Sequence, residues 1–167
     1  MADWLSTEEL LQRLRSVASP DDYLEHGATV ECTLREYLNR LLDKRGMRRA
    51  EVIRACGLHP TVVYDIFAGK SRPGRDHAIM LAFGLHASLD EAQQILHLAN
   101  NAELWPNTKR DAIIIWCLEN GKTRAECDDE LWRLQEKTLL KTDKRAKSLE
   151  SGVSLPQTPP QSQHQRP

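Results

Sequence analysis

The sequence predicts an all-α protein. Apolar residues recur at three- and four-residue spacing through one segment after another, and Ser/Thr-x-x-Glu capping boxes open several of those segments. No run alternates apolar and polar residues as a half-buried strand does. A chain of 167 residues, 40% hydrophobic and 28% charged, can bury a core of its own as one globular domain with tails.

The elements follow in order. Ser6-Thr7-Glu8-Glu9 is a capping box that opens an amphipathic run through Leu10, Leu11, Leu14 and Val17. Ser19-Pro20 starts a short second helix, with proline suited to a first helical position. Leu34 to Leu42 and Ala50 to Cys56 read as two helices, and Gly57 separates the second from a third that ends at Phe67-Ala68-Gly69. Ala78, Leu81, Ala82 and Leu85 mark a further helix. Ser88-Leu89-Asp90-Glu91 caps the next, with Ala92, Ile95, Leu96 and Ala99 inward. Asn107-Thr108 precedes a helix from Asp111 to Glu119 that Asn120-Gly121 closes. Thr123-Arg124-Ala125-Glu126 opens a last one through Leu131, Trp132 and Leu134, with weak helical signals to about Leu140. From Thr142 the chain turns polar and rich in Pro, Gln and Ser, and such a stretch cannot offset its ordering entropy, so residues 142–167 are expected to be disordered. The Pro156-x-x-Pro159 spacing there reads as a chance feature of a solubilising tail.

Net charge is −1, but its distribution is uneven. In residues 1–31, Asp3, Glu8, Glu9, Asp21, Asp22, Glu25 and Glu31 face only Arg13 and Arg15. In residues 34–75, Arg35, Arg40, Lys44, Arg45, Arg48, Arg49, Arg54, Lys70, Arg72 and Arg75 outnumber Glu36, Asp43, Glu51 and Asp65. The basic excess falls on the two helices that meet across Gly57, a pairing whose second helix can enter the DNA major groove.

Residues 34–84 resemble the phage-repressor and Cro-like (XRE) helix-turn-helix family. Leu38, Leu41 and Leu42 are similar to the buried face of its first helix, Val52 to the apolar position of its second, and Gly57-Leu58 to its turn. Val63, Ile66, Phe67 and Gly69 match its recognition helix, and Arg72-Pro73 with Ala78, Leu81, Ala82 and Leu85 its closing loop and fourth helix. The longer run to about Leu134, including Lys109-Arg110-Asp111-Ala112-Ile113-Ile114-Ile115, is similar to small bacterial members of the family. The resemblance implies a five-helix repressor-like domain over residues 32–100, preceded by acidic helices (1–31) and followed by a helical extension (101–141). It also implies a DNA-binding regulator in a bacterial or phage cytoplasm. Ile53 departs from the alanine usual at that helix crossing, where added methylenes cost roughly 1–3 kcal/mol unless neighbours shrink; Ala50 and Ala55 are the expected relief.

Arg48 and Arg49 start a helix where positive charge opposes the macrodipole at roughly 0.3–1 kcal/mol each, and the resemblance puts Arg49 where the family contacts phosphate. Lys44, Arg45, Lys70, Arg72 and Arg75 form a second rank of backbone candidates. With Val63, Ile66 and Phe67 inward, helical spacing turns His59, Pro60, Thr61, Tyr64, Asp65 and Ala68 to solvent. Matched onto repressors, Pro60, Thr61 and Asp65 face base edges, whereas His59 and Tyr64 sit toward the backbone. Thr61 can donate to a base or pack on a thymine methyl, and Asp65 can accept from cytosine N4. The set has no Arg, Gln or Asn for a bidentate base contact, which predicts weak specificity.

A second reading is a non-enzymatic protein-interaction module on the same fold, served by the acidic helices, Tyr64, Trp116 and Trp132. An enzyme is not expected. His26, His59, His77, His86, His97 and His164 show no metal-ligand spacing, and no nucleophile elbow or phosphate-binding glycine loop occurs. Cys32, Cys56, Cys117 and Cys127 form no CxxC pair and read as buried reduced thiols, so neither metal nor cofactor is expected. No stretch has the length of a membrane span or the layout of a secretory signal. The run Ile113-Ile114-Ile115-Trp116 is too wide for one buried face. Part of it must pack inside the monomer, and core packing against the first four helices is the simpler explanation of the whole run; the remainder is expected to bury a partner's surface in a homodimer built beyond Asn107, with the acidic helices outside the interface.

Overall fold

The computed structural model describes residues 5–26 and 32–141, and among them every regular element is an α-helix. In order these are α1 (Thr7–Ser16), α2 (Pro20–His26), α3 (Leu34–Lys44), α4 (Arg49–Cys56), α5 (Pro60–Phe67), α6 (Arg75–Gly84), α7 (Leu89–Leu98), α8 (Lys109–Glu119) and α9 (Arg124–Arg133). The fold class is all-α. The Pro/Gln/Ser-rich tail, the Pro156-x-x-Pro159 spacing, His164 and the acids Asp3 and Glu31 lie outside the described residues.

Helix α6 is the hub. Ala78, Ile79, Met80, Leu81, Ala82, Phe83 and Gly84 are all buried, so this helix is apolar around its whole circumference and is enclosed by α4, α7 and α9. The tightest approach is to α4. A Cβ on Gly84 would lie 2.8 Å from Cys56 Cβ and 3.0 Å from the Val52 carbonyl oxygen, so only glycine fits this crossing. Ile53, by contrast, is only partly buried, and Ala50 is exposed. The relief expected from Ala50 is therefore absent and not needed, because the close contact runs along the Val52 and Cys56 side of α4.

The C-terminal helices extend the same core. Leu104, Ile114, Cys117, Cys127, Leu131 and Leu139 belong to one buried cluster with Leu38, Val63, Phe67 and Ile95. Gln93 clamps the connection between α7 and α8: its Nε2 donates to the Leu104 carbonyl (2.8 Å) and its Oε1 accepts the Leu104 N–H (2.7 Å). The helical signals to Leu140 were not realised. α9 stops at Arg133, because Gln135 adopts a left-handed φ of 61° and the Glu136 N–H turns back to the Leu131 carbonyl. Asp128 then holds the returning segment by accepting the Leu139 and Leu140 N–H groups at 2.6 and 3.2 Å. Leu131 takes the buried place on α9, and its neighbour Trp132 is exposed.

Helices α1 and α2 bury no residue, although α1 has the capping box read from Ser6 and Glu9.

Candidate nucleic-acid interface

The α4–α5 turn is built from three residues, Gly57, Leu58 and His59. Gly57 closes α4 at φ 78°, a left-handed conformation that a Cβ would strain, and the space above it is filled by the Arg124 side chain from α9. Leu58 drops into the core. His59 caps α5, its Nδ1 accepting the Thr61 N–H at 3.3 Å, and Pro60 supplies a preset first helical residue. His59, expected to face the DNA backbone, is thus also the residue that starts the helix.

Val63, Ile66 and Phe67 are buried, which fixes the rotation of α5. Its outer surface presents Pro60, Thr61, Tyr64 and Ala68, all exposed, with Tyr64 47% accessible. Asp65 is half-buried at the edge of that surface, and its carbonyl accepts the Lys70 and Ser71 N–H groups at 2.8 and 3.3 Å.

Three helices converge on Asn39. Its Nδ2 donates to the Phe67 carbonyl at the end of α5 (3.1 Å) and to the Arg35 carbonyl (2.8 Å), and its Oδ1 accepts from Arg49 Nη2 (3.3 Å). The Arg49 guanidinium lies 5.8 Å over the centre of the Phe67 ring. Arg49 is therefore aimed by an amide and an aromatic face, with its charge uncompensated. Arg35 runs beside the turn after α5, where a Cβ on Gly69 would meet its Cδ at 3.2 Å. Sequence reasoning left both Arg35 and Asn39 out of the site. A polar Asn within the apolar run Leu38, Leu41, Leu42, one helical turn after Arg35, was the available signal.

The cations sort into two groups. Arg35, Arg48, Arg49, Arg54, Lys70 and Arg72 are exposed and have no carboxylate within ion-pair distance among the described residues. The Glu51 carboxylate accepts the Arg48 backbone N–H at 2.6 Å and leaves the guanidinium alone. Lys44 and Arg45, by contrast, pair with Glu91 on α7. Burial pushes the Glu91 carboxyl up, but the Ser88 N–H and the Arg45 guanidinium outweigh it and hold the group below its usual range.

Arg75 is fully occupied elsewhere. Its guanidinium meets both oxygens of Asp111, at 3.1 and 2.7 Å, and also donates to the Ala102 and Glu103 carbonyls at 2.9 and 3.0 Å. Of the backbone candidates, Arg48, Arg49, Lys70 and Arg72 remain open to an external anion, while Arg45 and Arg75 fasten the fold.

Among the described residues no His, Cys, Asp or Glu cluster could hold a metal ion, and no helix is long and apolar enough to cross a membrane. Cys56, Cys117 and Cys127 are buried free thiols and Cys32 is partly buried, each pushed up by its burial. Comparison with protein-family models, curated proteins and solved structures gives no match.

Proposed function

We propose that this chain is a DNA-binding transcriptional regulator of repressor-like architecture, working in a bacterial or phage cytoplasm, with α4 and α5 as its helix-turn-helix and α5 as the helix that enters the major groove. The observation that carries this reading is a concentration of charge: six exposed cations without carboxylate partners, Arg35, Arg48, Arg49, Arg54, Lys70 and Arg72, gather on α3, α4 and the turn after α5, beside the exposed α5 face, whereas elsewhere among the described residues such cations, Arg13 and Lys141, stand singly. Exposed uncompensated cations are what phosphate binding uses, because neutralising phosphates releases condensed counterions. Arg49 is the leading phosphate ligand, with Arg48, Lys70 and Arg72 beside it and Arg35 added by its position over the turn. Lys44, though tied to Glu91, is 69% exposed at its side chain and stays in the second rank.

Thr61 and Asp65 are the base readers, with Pro60 packing at the groove floor and Tyr64 and His59 at the backbone. Such a set favours modest sequence discrimination over tight operator binding. Selection of bound duplexes from a random pool tests the reading. Enrichment of a short motif is expected, whereas a pool that stays random, with no duplex retained at low salt, contradicts DNA binding.

A second reading, a protein-interaction module without enzymatic activity, is favoured by a separate observation. Trp105 and Trp116 on the C-terminal half are more than half exposed, and large exposed aromatics are characteristic of binding surfaces. The same selection separates the two, since an interaction module alone enriches nothing.

A further inference from the structure

Helix α5 is held at both ends, and the two holds come from different parts of the chain. At its C-terminal end Asn39 of α3 donates to the Phe67 carbonyl. Its N-terminal end hangs on the Gly57-Leu58-His59 turn, and over that turn lies Arg124 of α9, outside residues 32–100. A Cβ on Gly57 would meet Arg124 Nε at 2.9 Å, Cζ at 3.2 Å and Nη2 at 3.4 Å. The guanidinium thus fills the place that a side chain at position 57 would take.

That guanidinium has little freedom. Its Nη1 donates to Asp128 Oδ2 at 2.5 Å, one helical turn further on, and the two side chains are only 14% and 13% exposed. Asp128 is fixed in turn by the Leu139 and Leu140 N–H groups that it accepts. Arg124 Nε is buried with no hydrogen-bond partner among the described residues, so this nitrogen is kept against Gly57 by packing and by the grip of Asp128. With its charge matched by Asp128, Arg124 differs from Arg49, whose charge faces solvent.

We propose, on the reading of α5 as the helix that enters the major groove, that Arg124 is a positioning residue for base recognition. It sets the N-terminal end of α5, where Pro60 and Thr61 stand, without touching DNA. Base contacts need their donors held within about half an ångström, whereas phosphate contacts carry no sequence information and are made by long, adaptable side chains. The C-terminal helices therefore belong to the recognition unit and act through a relay from Leu139 and Leu140 to Asp128, to Arg124, to the turn.

Anisotropy titrations of the full-length protein on an enriched motif and on an unrelated duplex test this. Arg124→Ala should lower the ratio of the two affinities about fivefold, the scale of one base pair's discrimination. Its salt slope should stay that of the parent, because no phosphate contact is lost. Arg124→Lys keeps a cation for Asp128 but lacks the planar group over Gly57, and it should lose the ratio nearly as far. Asp128→Ala should lower the ratio too, and combined with Arg124→Ala it should add nothing, since it acts through Arg124. Asp111→Asn, which loosens the α6–α8 joint, controls for stability: a lower Tm with the ratio intact. An unchanged ratio in Arg124→Ala, a slope shallower by about 0.9, or losses that add in full would each overturn the proposal and leave DNA binding standing. A parent that retains no duplex at low salt would overturn both.

Discussion

Arg75 and Asp111 meet in a two-point hydrogen bond across the joint between α6 and α8, Nη1 to Oδ1 at 3.1 Å and Nη2 to Oδ2 at 2.7 Å. Asp111 also accepts the Trp105 N–H at 3.0 Å, so one buried carboxylate fixes both helices and the segment between them. Burial pushes this carboxyl up, but the Arg75 bonds and the Trp105 N–H outweigh it and hold the group below its usual 3.8. A depressed folded-state value stabilises the fold above the unfolded value, and that contribution fades as pH falls through the lower folded value. Stability should therefore be level near neutrality and decline below about pH 4. Asp111→Asn should lower it by about 2 kcal/mol at pH 7, the scale of a charge-assisted hydrogen bond, and should flatten the acid limb in urea titrations run over a pH series.

Gly84→Ala tests the α4–α6 crossing. Alanine gains about 1 kcal/mol of helix propensity, yet its methyl would overlap Cys56 Cβ at 2.8 Å and crowd the Val52 carbonyl. Overpacking against backbone costs about 1–3 kcal/mol, so a net loss is expected, seen as a lower Tm. An unchanged or raised Tm would mean that the two helices separate freely.

Much of the fold was legible because local rules carry it. The capping boxes at Ser6, Ser88 and Thr123 marked helix starts, and helical spacing picked out Leu38, Val63, Ile66 and Phe67 as buried. The end of α9 was not legible, since nothing in the Gln135 side chain announces a left-handed backbone. Nor could the sequence divide its cations. Arg45 and Arg49 look alike along the chain, and they differ only because Glu91, 46 residues after Arg45, folds against one of them while Asn39 and Phe67 take the other. The decisive partners are remote in sequence.

That division makes a paired experiment. Arg49→Ala should weaken binding to all duplexes and reduce the salt slope by about 0.9, one phosphate contact. Arg45→Ala should leave the slope unchanged while lowering thermal stability, because it leaves Glu91 with a weaker partner. Fluorescence anisotropy on one labelled duplex, with circular dichroism on both variants, reads the difference. Equal slopes for Arg49→Ala and the parent would remove Arg49 from the interface.

Asp65 sits at the edge of the exposed α5 face, and in the proposed complex its carboxylate would lie near phosphates and oppose non-specific binding. Asp65→Ala should change base preference at one position and leave affinity for unrelated duplexes level or higher. A selected motif identical to the parent's would assign Asp65 to the fold, in keeping with the turn its own carbonyl closes.

The central claim is that the unpaired cations around α5 bind nucleic acid phosphates, and the salt dependence of duplex binding tests it most directly. With Arg48, Arg49, Lys70 and Arg72 engaged, log K should fall linearly with log salt at a slope of roughly −3 to −4, about 0.9 for each of these contacts. A slope near zero, or no duplex binding even at low salt, would contradict the account.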